Sequence, residues 1–273
     1  MPGTVAPEEG RAVLHLFFHL RRELLDDPVS DARDLVARVE GVDAEPGVQA
    51  LTFSVVGQKA DLGLMLVGDD LARLDRFHAD LAGSPAGRAL LPAASYVSLT
   101  ERSEYTPDTA EAAEAERARL ADEGVSAAEA ERRAGELRER LERYVDARLH
   151  PELPSPDEMP VVAFYPMSKR RAPDANWYLL PFDERARLMR AHAEVGRRHR
   201  GRVLQIVTTS VGLDDWEWGV TLLASDPRAV RDVVHEMRFD EASARYADFG
   251  PFATGIAMPV RDLVRHLGLV PEA

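Results

Sequence analysis

Two stretches of this chain run in parallel. LGLMLVGDDLARLDRF (62–77) and EWGVTLLASDPRAVRDVV (217–234) each read as a strand, a polar turn and an amphipathic helix at matching spacing. The flanking segments extend the match. Over 11–104 the order is LHLFFHL, SDARDLVARVEG, QALTFSVV, LGLMLVG, DDLARLDRFHADLAGSP and ASYVSLTE, or β-α-β-β-α-β. Over 160–258 the order recurs as VVAFYPM, DERARLMRAHAEVGRRH, VLQIVTTSVG, WEWGVTLLA, DPRAVRDVVHEMRF and PFATGIAM. A chain built twice on this plan is an α+β protein with two tandem ferredoxin-like halves. Their sheets can pack face to face or close on each other. Each half then leaves a pocket between sheet and helices.

The segment between the repeats differs in kind. Residues 107–148 are almost pure Ala, Glu, Arg and Leu, which predicts helix broken near Gly124, with SAAE (126–129) opening its second part as a capping box. The thin apolar face suits an arm or connector. The predicted organisation is a structural N-terminal half (1–106), a helical connector (107–154) and a C-terminal half carrying the chemistry (155–273).

Composition narrows the chemistry. Cysteine is absent, which excludes disulfides, thiolate nucleophiles, Fe–S clusters and thiolate-bound haem. A net charge of −13 argues against nucleic acid or anionic membrane as partner. The apolar run AVLHLFFHL (12–20) is interrupted by histidines, so the chain reads as soluble and cytoplasmic. The motifs GxSxG, GxxxxGK[ST], HExxH and GxGxxG are missing.

The remaining candidates lie in the second half. Leu188, His192, Val195 and His199 share one helical stripe, which turns His192 toward the interior, where imidazole serves either as a core residue or as a metal ligand. His199 falls at the helix C-terminus. FYPMSKRR (164–171) puts a tyrosine at a strand end, with a proline to cut the strand and three cations after it. Gln205 is a polar residue in the apolar strand VLQIV, and DDWEWG sets Trp216 and Trp218 on one strand face with Glu217 opposite. MRFDEASARY (237–246) carries Arg238, Ser243 and Arg245 at a helix end.

Taken together, FYPMSKRR, NWYLLPFDERARLMRAHAEVGRRHRGRVLQIVTTSVGLDDWEWGVTL and EMRFDEASARYADFGPF resemble the coproheme decarboxylases of the chlorite-dismutase-like superfamily, in the form found in Firmicutes. SEYT (103–106) and ARLHPELP (147–154) extend the likeness. The resemblance implies that iron coproporphyrin III is substrate and redox centre. Two hydrogen peroxide convert its propionates 2 and 4 to vinyls, giving haem b and two carbon dioxide. It implies His192 as the iron ligand, Tyr165 as the radical residue and Lys169 beside the reactive propionate. Arg148, Arg238 and Ser243 hold propionates, although SPDEMP lengthens the segment after Arg148; Met167 packs on the distal side. Gln205 stands where chlorite dismutases carry a distal arginine. Trp177 and Trp218 offer alternative radical sites, with structural packing the preferred role for both. The resemblance further implies a homopentamer and contact with coproporphyrin ferrochelatase. The competing readings are a chlorite dismutase or peroxidase of the superfamily, and a haem carrier without activity.

Overall fold

The structure is a computed structural model that describes residues 3–270. The first repeat forms β1 (Ala12–Leu20), α1 (Pro28–Asp43), β2 (Val48–Val55), β3 (Leu62–Gly68), α2 (Leu71–Ala82) and β4 (Leu90–Leu99). Helices α3 (Thr109–Asp122) and α4 (Ala127–Leu149) follow. The second repeat begins with β5 (Val161–Lys169), then a small hairpin of β6 (Arg171–Ala172) and β7 (Ala175–Asn176), then α5 (Phe182–Arg198). It continues through β8 (Val203–Thr209), β9 (Trp218–Ala224), α6 (Pro227–Met237), α7 (Glu241–Ala244), β10 (Ala247–Phe249), β11 (Ala253–Ala257) and α8 (Val260–His266). The predicted double β-α-β-β-α-β order is therefore observed.

Each repeat is a four-stranded antiparallel sheet with its first strand inside. The orders are β4-β1-β3-β2 and β8-β9-β5-β11. Of the two arrangements open to such halves, closure is the one adopted. β11 pairs with β2 and β4 with β8, so eight strands complete a barrel and β10 adds to the outer end of β5. The two seams differ. β11–β2 is held by three registered pairs, whereas β4–β8 has one, Leu99 with Thr209.

Strand alternation sorts side chains between lumen and outside. Val13 and Phe17 of β1 point inward with Phe53, Met65, Tyr96, Phe164, Ile206 and Leu223. Leu14, Leu16 and Phe18 point outward against Leu35, Leu74, Phe77 and Leu263 of α1, α2 and α8. The lumen is filled by aromatic rings, and glycines make room for them. A Cβ on Gly63 or Gly255 would come within 2.3 or 2.5 Å of the Phe53 ring. His15 shares this interior at 1% exposure, stacked on Phe164 at 4.3 Å, with Nε2 2.9 Å from Thr221 Oγ1. Its Nδ1 has no partner among the described residues, and burial pushes its pKa down to about 3.

Helix starts follow from sequence. Asp27 and Asp226 accept hydrogen bonds from the first turns of α1 and α6, each followed by a proline that needs no partner for an N–H.

The chain divides into two compact units, residues up to Thr100 with those from Leu153 on, and Glu101–Glu152. In the second, Gly124 takes φ +77° between α3 and α4, and Ser126 Oγ accepts from the Glu129 N–H. Exposed pairs such as Arg119 with Glu116 and Arg132 with Glu129 line these helices, where solvent screens them. No helix among the described residues is long and apolar enough to cross a membrane.

Candidate functional site

The outer face of β5, β8 and β9 packs beneath α5 and α6. Ala163, Tyr165, Val203, Val220 and Leu222 of the sheet meet Ala229, Val233 and Met237 of α6. The cover is incomplete, because Met167, Val195, Val207, Val234, Phe249 and Phe252 are only partly buried against this layer. The result is an apolar bed that the helices above it cover only in part.

His192 stands on α5 at this layer, half-buried, one turn before Gly196. Its Nδ1 lies 3.0 Å from Asp240 Oδ2 and 3.4 Å from Ser243 Oγ, both in the turn that opens α7. Asp240 is itself fixed as the cap of α7, accepting from the Ser243 N–H at 3.2 Å. Burial opposes the charge on Asp240, but its hydrogen bonds with His192 and Ser243 outweigh it and hold the pKa below the ordinary carboxylate value. A carboxylate that accepts from Nδ1–H places the imidazole lone pair on Nε2. Nε2 has no hydrogen-bond partner among the described residues.

Tyr165 lies in the sheet floor at 4% exposure, stacked on Phe252 at 4.3 Å and near Phe249 at 5.8 Å. Burial raises its phenol pKa to about 12, against a smaller opposing pull from the charge of Arg238. Arg238 is exposed, caps α6 and spreads over Phe249 at 5.6 Å. Strand β5 does not stop at Pro166. It runs on to Lys169 because Pro166 falls where one partner strand replaces another: β11 pairs with Val161–Phe164 and β10 with Met167–Lys169. At that gap a missing N–H breaks no ladder.

The continued strand carries Lys169 to α7. Its Nζ lies 3.5 Å from the Ala242 carbonyl and 4.2 Å from the centre of the buried Trp177 ring. Burial lowers its pKa to about 8, while the charges of Asp240 and Glu217 act to raise it. Gln205 on β8 sits under α5: a Cβ on Gly196 would be 3.4 Å from its Nε2, so the glycine lets helix and strand approach.

Thus the structure brings His192, Tyr165, Met167, Lys169, Gln205, Arg238 and Ser243 to one sheet–helix layer. Ser243 is buried beside His192 rather than on an open rim. Arg148 belongs to the helical unit, in the last turn of α4. Trp216 precedes β9 instead of sharing it with Trp218, and Glu217 between them is buried. Two acidic residues had no role in the sequence reading, Asp240 and Glu217. The signal for Asp240 was its spacing to Ser243, the Asp-x-x-Ser of a helix cap.

The donor set fits a flat, anionic iron complex. One imidazole offers a free Nε2, the walls are apolar and aromatic, and Lys169 and Arg238 supply cations. A single histidine suffices for an iron whose other ligands are macrocycle nitrogens.

The chain resembles known proteins in sequence and in fold. Residues 26–258 match the family described as Chlorite dismutase. Relatives named only as candidate heme-binding proteins occur in Natronomonas pharaonis, 38% identical over 93% of this chain, and in Halobacterium salinarum, 40% identical over 89%. The chain spans 40% and 44% of the length of those two relatives. A heme-binding protein from Thermus thermophilus superposes with TM-score 0.76 at 34% identity, covering 97% of this chain and 98% of that one. A chlorite dismutase variant from Candidatus Nitrospira defluvii shares the fold at TM-score 0.69 and 16% identity, covering 95% of this chain and 96% of its own.

Proposed function

The chain belongs to the chlorite dismutase family, and from that premise we propose that it binds an iron porphyrin through His192 and decarboxylates iron coproporphyrin III to haem b. The observation that carries the porphyrin reading is the His192–Asp240 pair at 3.0 Å, which leaves Nε2 without a hydrogen-bond partner among the described residues. What favours the decarboxylase over its relatives is the pairing of a buried phenol, Tyr165, with a half-buried amine, Lys169, on one strand.

When bound, the iron porphyrin supplies the oxidising chemistry with hydrogen peroxide and is also the substrate. For each propionate the balance is one carboxylate, one hydrogen peroxide and one proton in; one vinyl, one carbon dioxide and two waters out. Asp240 holds the His192 ring and its tautomer, and raises the donor strength of Nε2. Tyr165 stays protonated at physiological pH, so it gives up a hydrogen atom rather than a bare electron. The resulting phenoxyl takes a hydrogen atom from the propionate β-carbon. Lys169 and Arg238 hold carboxylates, and arginine's planar fork fixes their orientation. Gln205 brings a neutral amide where an arginine would steer anions. Hydrogen peroxide, cytoplasmic location, homopentamer assembly and contact with coproporphyrin ferrochelatase belong to the same proposal through the resemblance.

The direct test is to mix the protein with iron coproporphyrin III and hydrogen peroxide and follow porphyrin mass. Loss of two carboxyl groups is the expected outcome; unchanged mass rejects the activity. Oxygen release on adding chlorite would favour a chlorite dismutase instead. Ligation has its own test. A His192→Ala protein loaded with iron coproporphyrin III should lose the visible bands of a histidine-bound iron, and bands identical to the parent's would remove His192 from the iron.

A further inference from the structure

Lysine is rare in this chain. Among 34 basic side chains only two are lysines, Lys59 and Lys169. Arginine fills nearly every position where a fixed cation suffices, and it cannot give up its proton in a protein. Position 169 therefore holds one of two side-chain amines in the molecule. The groups packed around it come from three parts of the chain. Trp177 lies under the ammonium, α7 offers the Ala242 carbonyl, Asp240 stands at the start of α7, and Glu217 stands just before β9. Just past the strand end, Arg170 is engaged by Asp248 at 2.8 Å. Arg171 Nη2 approaches Glu217 Oε1 at 3.6 Å.

Glu217 is 8% exposed and fastened at both ends. Its Oε2 accepts from the Lys169 N–H at 2.7 Å. Its own N–H is shared between the Met167 carbonyl at 3.1 Å and Ser168 Oγ at 3.2 Å, and its carbonyl accepts from the Ser210 N–H at 2.7 Å. The β5–β9 register ends at Met167 and Trp218. Beyond that point the carboxylate takes the place of the next ladder partner for Lys169. A buried carboxylate costs free energy unless bonded and charge-balanced. Here it is bonded by the strand end and balanced by the amine and guanidinium that follow.

We propose that Glu217 is the positioning residue for Lys169: its carboxylate holds the backbone of the strand end that aims the amine, and its negative charge balances the half-buried ammonium. This deepens the reading above, since it concerns the cation assigned to the substrate carboxylate.

The test uses the porphyrin-free protein. Reductive methylation with ¹³C-formaldehyde labels two lysines, so the NMR spectrum shows Lys169 and Lys59 apart from the chain terminus. In Glu217→Gln, which keeps an acceptor for the Lys169 N–H but loses the charge, the Lys169 titration should fall by at least about half a pH unit while Lys59 stays fixed. Glu217→Asp keeps the charge and withdraws it by one methylene, so the Lys169 amide should exchange with solvent several-fold faster. An unmoved Lys169 titration in the first variant, or unchanged amide exchange in the second, overturns the proposal. Failure of the unsubstituted protein to bind iron coproporphyrin III would instead strike the porphyrin reading, and the titration would still decide the role of Glu217.

Discussion

Under the proposed activity, a Tyr165→Phe protein should bind iron coproporphyrin III as the parent does and return it unchanged after hydrogen peroxide. The substitution removes one oxygen from a side chain whose ring is stacked on Phe252 and flanked by Phe249. The floor of the apolar bed keeps its area and shape, so folding and binding are preserved. What disappears is the O–H bond that can exchange a hydrogen atom with the substrate. Turnover should fall at least about a thousandfold, equivalent to about 4 kcal/mol of barrier. Trp177 is a poor substitute, because the Lys169 ammonium lies 4.2 Å from its ring and opposes removal of an electron. The measurement is porphyrin mass after a single peroxide addition, alongside a spectral binding titration. Haem b formed at more than about a tenth of the parental rate would show that the phenol is not the hydrogen-atom carrier.

Acid should loosen the barrel through one residue. His15 is wholly enclosed in the lumen, where burial depresses its pKa from 6.5 to about 3. Below pH 6.5 the unfolded chain takes up a proton that the folded chain refuses. The contribution of His15 is therefore flat above pH 6.5, and stability is lost as pH falls from 6.5 toward 3. Across that window the loss reaches about 4 kcal/mol. A His15→Phe protein removes the proton and keeps a ring against Phe164. Urea unfolding at intervals from pH 7 to pH 4 should then show a slope shallower by about 1.4 kcal/mol per pH unit. Equal slopes in parent and variant would mean that His15 is charged, or absent from the balance, in the folded state.

The strand and helix order of both halves was legible because its signals are local and periodic: alternation in AVLHLFFHL, a 3.6-residue stripe through His192. The way the two sheets meet was not. Whether β11 reaches β2 depends on lumen volume, hence on glycines at 63 and 255 yielding to one phenylalanine ring, and no local pattern encodes that. Of the candidate site, the residues alone offered His192 on an apolar helical stripe and Gln205 in an apolar strand, while Tyr165 and Lys169 drew their roles from the family resemblance. Asp240 and Glu217 did not stand out, because acidic residues abound in this chain and an exposed one looks the same in sequence as a buried one. Their meaning comes from contacts 48 residues away in the chain for each, to His192 and to Lys169. Pro166 misled in a different way. Its missing donor reads as a strand end, yet the strand passes through where its neighbours change.

The barrel is closed by a clasp sewn with hydroxyl groups. Where β4 meets β8 the backbone offers one registered pair, and the joint is completed by Thr208 Oγ1 on Ser98 Oγ at 2.8 Å, by Ser210 Oγ on the Val97 carbonyl, and by Asp214 on the Val97 N–H at 3.0 Å. A ring fastened unevenly breathes at its weakest stitch. Any opening of that seam would reach β8 first, with β9 standing between it and the strand that bears the phenol and the amine.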